Sequence, residues 1–479
     1  MSTRTVSTAA DIAAVAGEAG VRRIVVEGEI EGAPPVRLAP GQHLVGADEE
    51  AAVAFAAGVD GVQLSRDNEV TRIRLRTDPE RRAIFNDTAV DDLGTIRIAD
   101  VTTVGQVQIL ASRHVRAGHV VVDGLDVARA DVRDRGDRPH LLGVGVLQGS
   151  FTLWNLQPGE DVVLTADLHR ISAGRDGAPV RGSGVFVGGA AGSGGRLEVT
   201  VLETGPVFTD GGIAEGTRDL ISGGVFVISG CHVREVRNRG PVTTYGVNDM
   251  ALDNWGRVET WTADGPITTY GRSGVGFVNF GSTTLLRVTA PVETHGIGAR
   301  GFNVYTGGSI AAAEFDSITT HSDAAVGIQV SEPLGRLVVR NGIHTDGGAG
   351  DSLVKGVITR LSAHALSVLA GGSIGEVDIA GGVTSTGPGV ATVDVKGEIA
   401  AMSVAGGIHA HGARSDAIHV DGGSLTLHDT DVTAADGAAI RLTHPTRFEH
   451  QRVTARGAEG NVVEDQDPTP AADAAPDGG

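Results

Sequence analysis

One cysteine in 479 residues, Cys231, rules out an intrachain disulfide framework. Aromatic residues make up only 4% of the chain, and no apolar run approaches the length of a membrane-spanning helix. The opening MSTRTVSTAADIAAVAGEAG has no continuous apolar stretch of the signal-peptide kind. These absences set the expectation of a soluble, cytoplasmic protein. Basic charge is also short: 39 Lys and Arg stand against 59 Asp and Glu, a net −20 spread along the chain. Such a body repels phosphate backbones, so neither nucleic acid nor membrane is an expected partner. No P-loop or dinucleotide fingerprint sits in a strand-turn-helix setting, and GGAAGSGG (Gly188 to Gly195) reads as a loop. No cofactor is therefore expected.

Helical periodicity is missing as well. Apolar residues alternate instead of recurring three and four apart, and glycine, 71 of 479 without the collagen triplet, supplies turns. GPVTTYG (Gly240 to Gly246) returns as GPITTYG (Gly265 to Gly271). Related segments end at Gly296, Ser322, Gly347, Gly387 and Gly412, giving successive steps of 25, 25, 26, 25, 40 and 25 residues. A near-constant step with strand alternation means stacked coils of a β-solenoid.

Period 2 sorts the faces. Val242, Ile267, Val292, Ile318, Ile343, Val383 and Ile408 point inward, followed by a threonine column, Thr244, Thr269, Thr294, Thr320 and Thr345, whose hydroxyls are expected to satisfy one another. In the next strand Leu252, Phe277, Phe302 and Ile328 go in, with Asn254 and Asn279 two residues on. Two outward columns are chemically distinctive: Tyr245, Tyr270, His295, His321 and Asp346, and then Trp255, Phe280 and Tyr305.

With its opening coils IVVEGEI and VRLAPGQHLVG and its Asn254/Asn279 pair, the chain resembles the pectin lyase-like superfamily. The resemblance implies an all-β, right-handed parallel β-helix with coils of about 25 residues and a short N-terminal capping helix. None of that superfamily's catalytic signatures is present, so no family site residue carries over. The expected organisation is an N-terminal segment at 1–22, whose capping helix has Ile12, Val15 and Ala19 on one face, and a single β-helix domain at 23–456. Its regular coils run over about 223–440, with insertions near 211–222 and 348–362, and a disordered acidic tail follows at 457–479.

Both insertions leave at one corner, which points to a groove there. Tyr245, Tyr270, His295, His321 and Glu293 form one flank, Trp255, Phe280 and Tyr305 the other, and Asp249, Arg272 and Arg300 the bend. The aromatic column offers a platform for a sugar ring, with Asp253 and Asn303 to bond hydroxyls; the competing reading packs it under a loop or another subunit. Glu293, His295 and His321 are candidates for proton transfer, with Asp249 or Asp253 as second carboxylate; the alternative is a solvated polar face. His295, His321, His344 and Asp346 invite a metal reading, but no fixed ligand motif is present and no metal is assigned. Cys231 is given no role. The expectation is a carbohydrate-active protein, an enzyme processing a glycan or oligosaccharide, with a carbohydrate or polyol as partner. The rivals are a non-catalytic glycan- or polymer-binding module, and a structural protein whose aromatic stack is the interface of a homo-oligomer.

Overall fold

The computed structural model describes residues 2–141 and 143–465. Each regular coil contributes three strands. In one coil these are Val242–Thr244, Asp249–Asn254 and Arg257–Ala263; in the next they are Ile267–Thr269, Val275–Asn279 and Ser282–Val288. They define a short, a middle and a long face. On all three faces each strand pairs in parallel with its counterpart one coil on. The short-face register runs Val242, Ile267, Val292, Ile318, Ile343, Val383, Ile408, as the repeat predicts. The chain is thus an all-β parallel β-helix. No helix among the described residues is long and apolar enough to cross a membrane.

In-register stacking puts like on like, and this explains the monotony of the inward positions. Val292, Ile318 and Ile343 are wholly buried in one apolar core that runs from Val6 to Ile440. The asparagine ladder is present: Asn254 Nδ2 donates to Asn279 Oδ1 at 2.9 Å. The threonine column behaves differently from expectation. Thr244, Thr269 and Thr294 are buried without a hydrogen-bond partner, while Thr320 and Thr345 donate to the carbonyls of Ala325 and Ala363. Neighbouring strands lie about 4.8 Å apart, beyond the roughly 3 Å reach of a hydroxyl pair, whereas an asparagine side chain spans that gap.

Stacking also dictates the glycine that ends each short strand. A Cβ on Gly271 would stand 1.7 Å from the Gly246 carbonyl oxygen, and one on Gly296 1.9 Å from that of Gly271. Ser322, the exception, adopts φ 102° and donates its hydroxyl to the His295 carbonyl at 2.7 Å.

Both ends differ from the sequence expectation. The helix spans only Ala9–Val15, capped by Thr8, with Ile12 buried; Ala19 lies beyond it and is exposed. Ser2–Val6 adds a strand alongside Val21–Val26. At the other end Arg447–Gly457 and Gly460–Asp465 continue the ladders, so the last coil extends past 456. The remainder of the expected tail, 466–479, lies outside the described residues.

The late insertion is an antiparallel hairpin, Ala349–Val354 with Val357–Ser362. The earlier one leaves after Arg196–Asp210 and returns at Leu220–Val227. A further excursion, not signalled by the repeat, carries Val144–Val146, which pairs with the strand Leu220–Val227. Instead of flanking a groove, these segments roof the middle face.

Candidate functional site

Trp255, Phe280 and Tyr305 do form one column, with ring centroids 6.0 and 5.1 Å apart. They lie under the roof. Val144, Val146 and Ile221 pack on Trp255, Val354 packs beside Tyr305, and the Lys355 ammonium stands 5.2 Å from the Tyr305 ring. Trp255 and Tyr305 are 7% and 5% exposed, and Asp253 and Asn303 are wholly buried. The space left against Asp253, Trp255, Phe280, Tyr305 and Leu353 is about 50 Å³. That is room for a water or two, each taking about 30 Å³, and far below the roughly 300 Å³ of small-molecule sites. The stack therefore packs beneath loops and offers no sugar platform.

The residues at the bend hold this roof down. Arg300, buried, donates from Nη2 to Ser352 Oγ at 2.7 Å and to the Leu353 carbonyl at 3.0 Å, and Arg272 reaches the Asp351 carbonyl at 3.3 Å. Asp249 clamps the earlier insertion, accepting from Ser222 Oγ, from Gly211 N at 3.2 Å and from Gly246 N at 2.9 Å. Burial pushes its pKa up to about 7 although these bonds oppose the shift. For Asp253 burial raises the pKa well above the carboxylate range. The Trp255 indole N–H, the one group near enough to oppose this, does not reach hydrogen-bond geometry, and both carboxyl oxygens lack a partner.

The short face is open. Tyr245, Tyr270, His295 and His321 stack across four coils with centroids 5.5, 4.8 and 4.9 Å apart and planes within 16° of parallel. Rings stacked along the solenoid axis bury their faces against one another and turn their polar edges outward. Tyr245 donates its hydroxyl to Asp176 at 2.8 Å, whereas Tyr270 is 49% exposed. Beside the rings runs a chain of charge. Glu293 Oε1 lies 3.0 Å from His321 Nε2 and 3.6 Å from His295 Nε2. His321 Nδ1 meets Asp346 at 2.6 Å, Asp346 meets His344 Nε2 at 2.6 Å, and His344 Nδ1 meets Thr384 Oγ1 at 2.6 Å. Partial burial lowers the His321 pKa, but Asp346 and Glu293 outweigh it and leave it raised; Asp346, which burial raises, is held low by His321 and His344.

The structure thus separates the predicted site residues. Glu293, His295, His321, Tyr245 and Tyr270 share the open face. Asp253, Trp255, Phe280, Tyr305 and Asn303 lie on the middle face, under cover or at its edge, and Asp249, Arg272 and Arg300 anchor the insertions. The grouping of His321, His344 and Asp346 on adjacent rungs is legible in the repeat, whereas the link onward from His344 to Thr384, across the interval widened by the hairpin, is not. A second feature was also missed. A cleft of about 640 Å³ opens beside the Gly188–Gly195 loop, with His232 on its wall between Glu198 at 2.8 Å and Glu259 at 3.1 Å. Cys231, buried in the core, has its thiol pushed up by burial and is unsuited to nucleophilic chemistry. No family model matches the chain, and neither does any curated protein or solved structure.

Proposed function

We propose that the protein is a carbohydrate-active β-helix whose working surface is the open short face, and that it processes an extended, neutral glycan laid along the solenoid axis. One observation carries the reading. A rigid row of hydroxyl and imidazole edges, Tyr270, His295 and His321, faces solvent across consecutive coils, with Glu293 converging on the two histidines. Such a row repeats at the strand spacing of about 4.8 Å, and a phenol hydroxyl and an imidazole can each donate or accept a hydrogen bond to a hydroxyl-rich chain. The net charge of −20 and the local carboxylates favour a neutral over an anionic polymer. The architectural likeness to the pectin lyase-like superfamily, with its right-handed coil, belongs to the same proposal. Enzyme is preferred to binding module because Glu293, His295 and His321 place reactive groups together on that surface.

The test is turnover and binding on a panel of neutral and uronic-acid oligosaccharides. At least one neutral member is expected to bind and be converted. Glu293→Gln, which keeps shape and removes charge, is expected to leave binding nearly intact and to cut turnover by about 100-fold or more. Binding without turnover in the wild-type protein would replace the enzyme by the module, and no binding by any member would end the glycan reading.

A further inference from the structure

The geometry points to a divalent transition-metal site, of the zinc class, formed by Glu293, His295 and His321. One ligand atom from each comes together with the others within 4.8 Å, which suits a shared ion. Glu293 lies in the strand Val292–Thr294, His295 directly follows that strand, and His321 directly follows its partner Ile318–Thr320, its backbone N–H donating to the Thr294 carbonyl at 2.8 Å, so ladder bonds hold the backbone at all three. Coordination has only to tilt two stacked rings toward a common point. Their side chains are about one-third exposed, so the core need not move.

The surrounding bonds orient the ligands. Asp346 engages Nδ1 of His321 at 2.6 Å, and Asp346 is itself held by His344, which is held by Thr384. A carboxylate on one imidazole nitrogen fixes the tautomer and presents the other nitrogen as a ligand, the usual arrangement behind metal-binding histidines. Here the presented atom, Nε2, faces Glu293 Oε1 at 3.0 Å. A lone pair and a carboxylate oxygen at that distance oppose each other unless positive charge lies between them. A proton satisfies that one pair. A divalent cation satisfies it and also engages His295 Nε2, 3.6 Å from the same oxygen. Two imidazoles and one carboxylate on a solvent-open face leave coordination positions for water or a substrate hydroxyl.

His232 shows what the argument excludes. It too has a carboxylate on each ring nitrogen, Glu198 on Nδ1 and Glu259 on Nε2, as His321 has, but among the described residues no further ligand joins either contact as His295 joins Glu293 and His321. No common point forms there.

The inference rests on the glycan reading only for what the ion would do; its presence is tested without sugar. The full-length protein, freed of metal by chelation, is titrated with ZnCl₂ by calorimetry and with CoCl₂ by visible absorption. One ion per chain is expected, with a cobalt spectrum of low-symmetry coordination. His295→Ala, His321→Ala and Glu293→Gln should each weaken binding about 100-fold or more, and Asp346→Asn about 10- to 100-fold, with melting temperatures near wild type. His232→Ala should change nothing. No ion bound, or binding that survives His295→Ala and His321→Ala or is lost in His232→Ala, overturns the proposal. That result would leave glycan binding at Tyr270 standing, and loss of glycan binding with the ion retained would strike the functional reading alone.

Discussion

Asp249 shows how a single residue can be placed correctly on the coil and still be misread for purpose. It is wholly buried, and its ligands are Ser222, Gly211 and Gly246, two of them on an insertion the repeat does not describe. Burial, with a smaller push from Asp210, moves its pKa from 3.8 to about 7. The folded protein therefore holds this proton more tightly than the unfolded chain does. Its contribution is fully present below about pH 4 and declines as pH rises toward 7, by roughly 4 kcal/mol at most. Asp249→Asn mimics the protonated form: the amide oxygen still accepts from the glycines, and the NH₂ can donate to Ser222. Chemical denaturation between pH 4 and 8 should show the variant losing less stability than wild type over that window. Parallel curves would mean Asp249 is ionised throughout. Inward residues such as Ile318 were legible because alternation is local. Gly246 is a local partner of Asp249, but Ser222 and Gly211 were not legible, because they lie 27 and 38 residues upstream.

At the level of elements, the hairpin Ala349–Val354 and Val357–Ser362 decides which face is open. Aligning HALSVLAGGSI with RGFNVYTGGSI located it, since an insertion breaks a regular interval. Where it folds was hidden. Its fixing contacts reach back across coils, from Ser352 Oγ to the Gly298 carbonyl at 2.6 Å and from Leu353 N to Ser273 Oγ at 3.1 Å. The same holds for Val144 and Val146, which no repeat signal marked. Arg300 is the principal tie between hairpin and coil. Arg300→Ala removes two hydrogen bonds of a charged donor, each worth about 1.5–3 kcal/mol. Amide exchange within residues 349–362 should accelerate at least about tenfold while the coil strands keep their protection. Unchanged exchange there would show that apolar contact, such as Val354 against Tyr305, holds the roof alone.

For the whole molecule, a short helix, Ala9–Val15, lies at one end of the described coils, and the last long strand described at the other is charged. Arg447–Gly457 carries Arg447, Glu449, Arg452 and Arg456, the usual guard against edge-to-edge pairing. The sides divide into a roofed face and an open one. The sequence made both outward columns visible, because period 2 names the residues that leave the core, but it could not rank them. Burial of Trp255 and Tyr305 depends on segments distant in the chain, whereas on the short face Asp176 reaches only as far as Tyr245 and leaves Tyr270 49% exposed. The claim that the open ladder is the working surface is tested most directly by comparing two variants in oligosaccharide binding. Tyr270→Ala should weaken binding about tenfold without lowering the melting temperature, the cost of roughly one lost hydrogen bond and its ordered neighbours. Trp255→Leu should lower the melting temperature and leave binding within about twofold, since a buried ring contributes packing. The opposite pattern, binding lost with Trp255 and indifferent to Tyr270, would place the ligand beneath the roof and contradict the account.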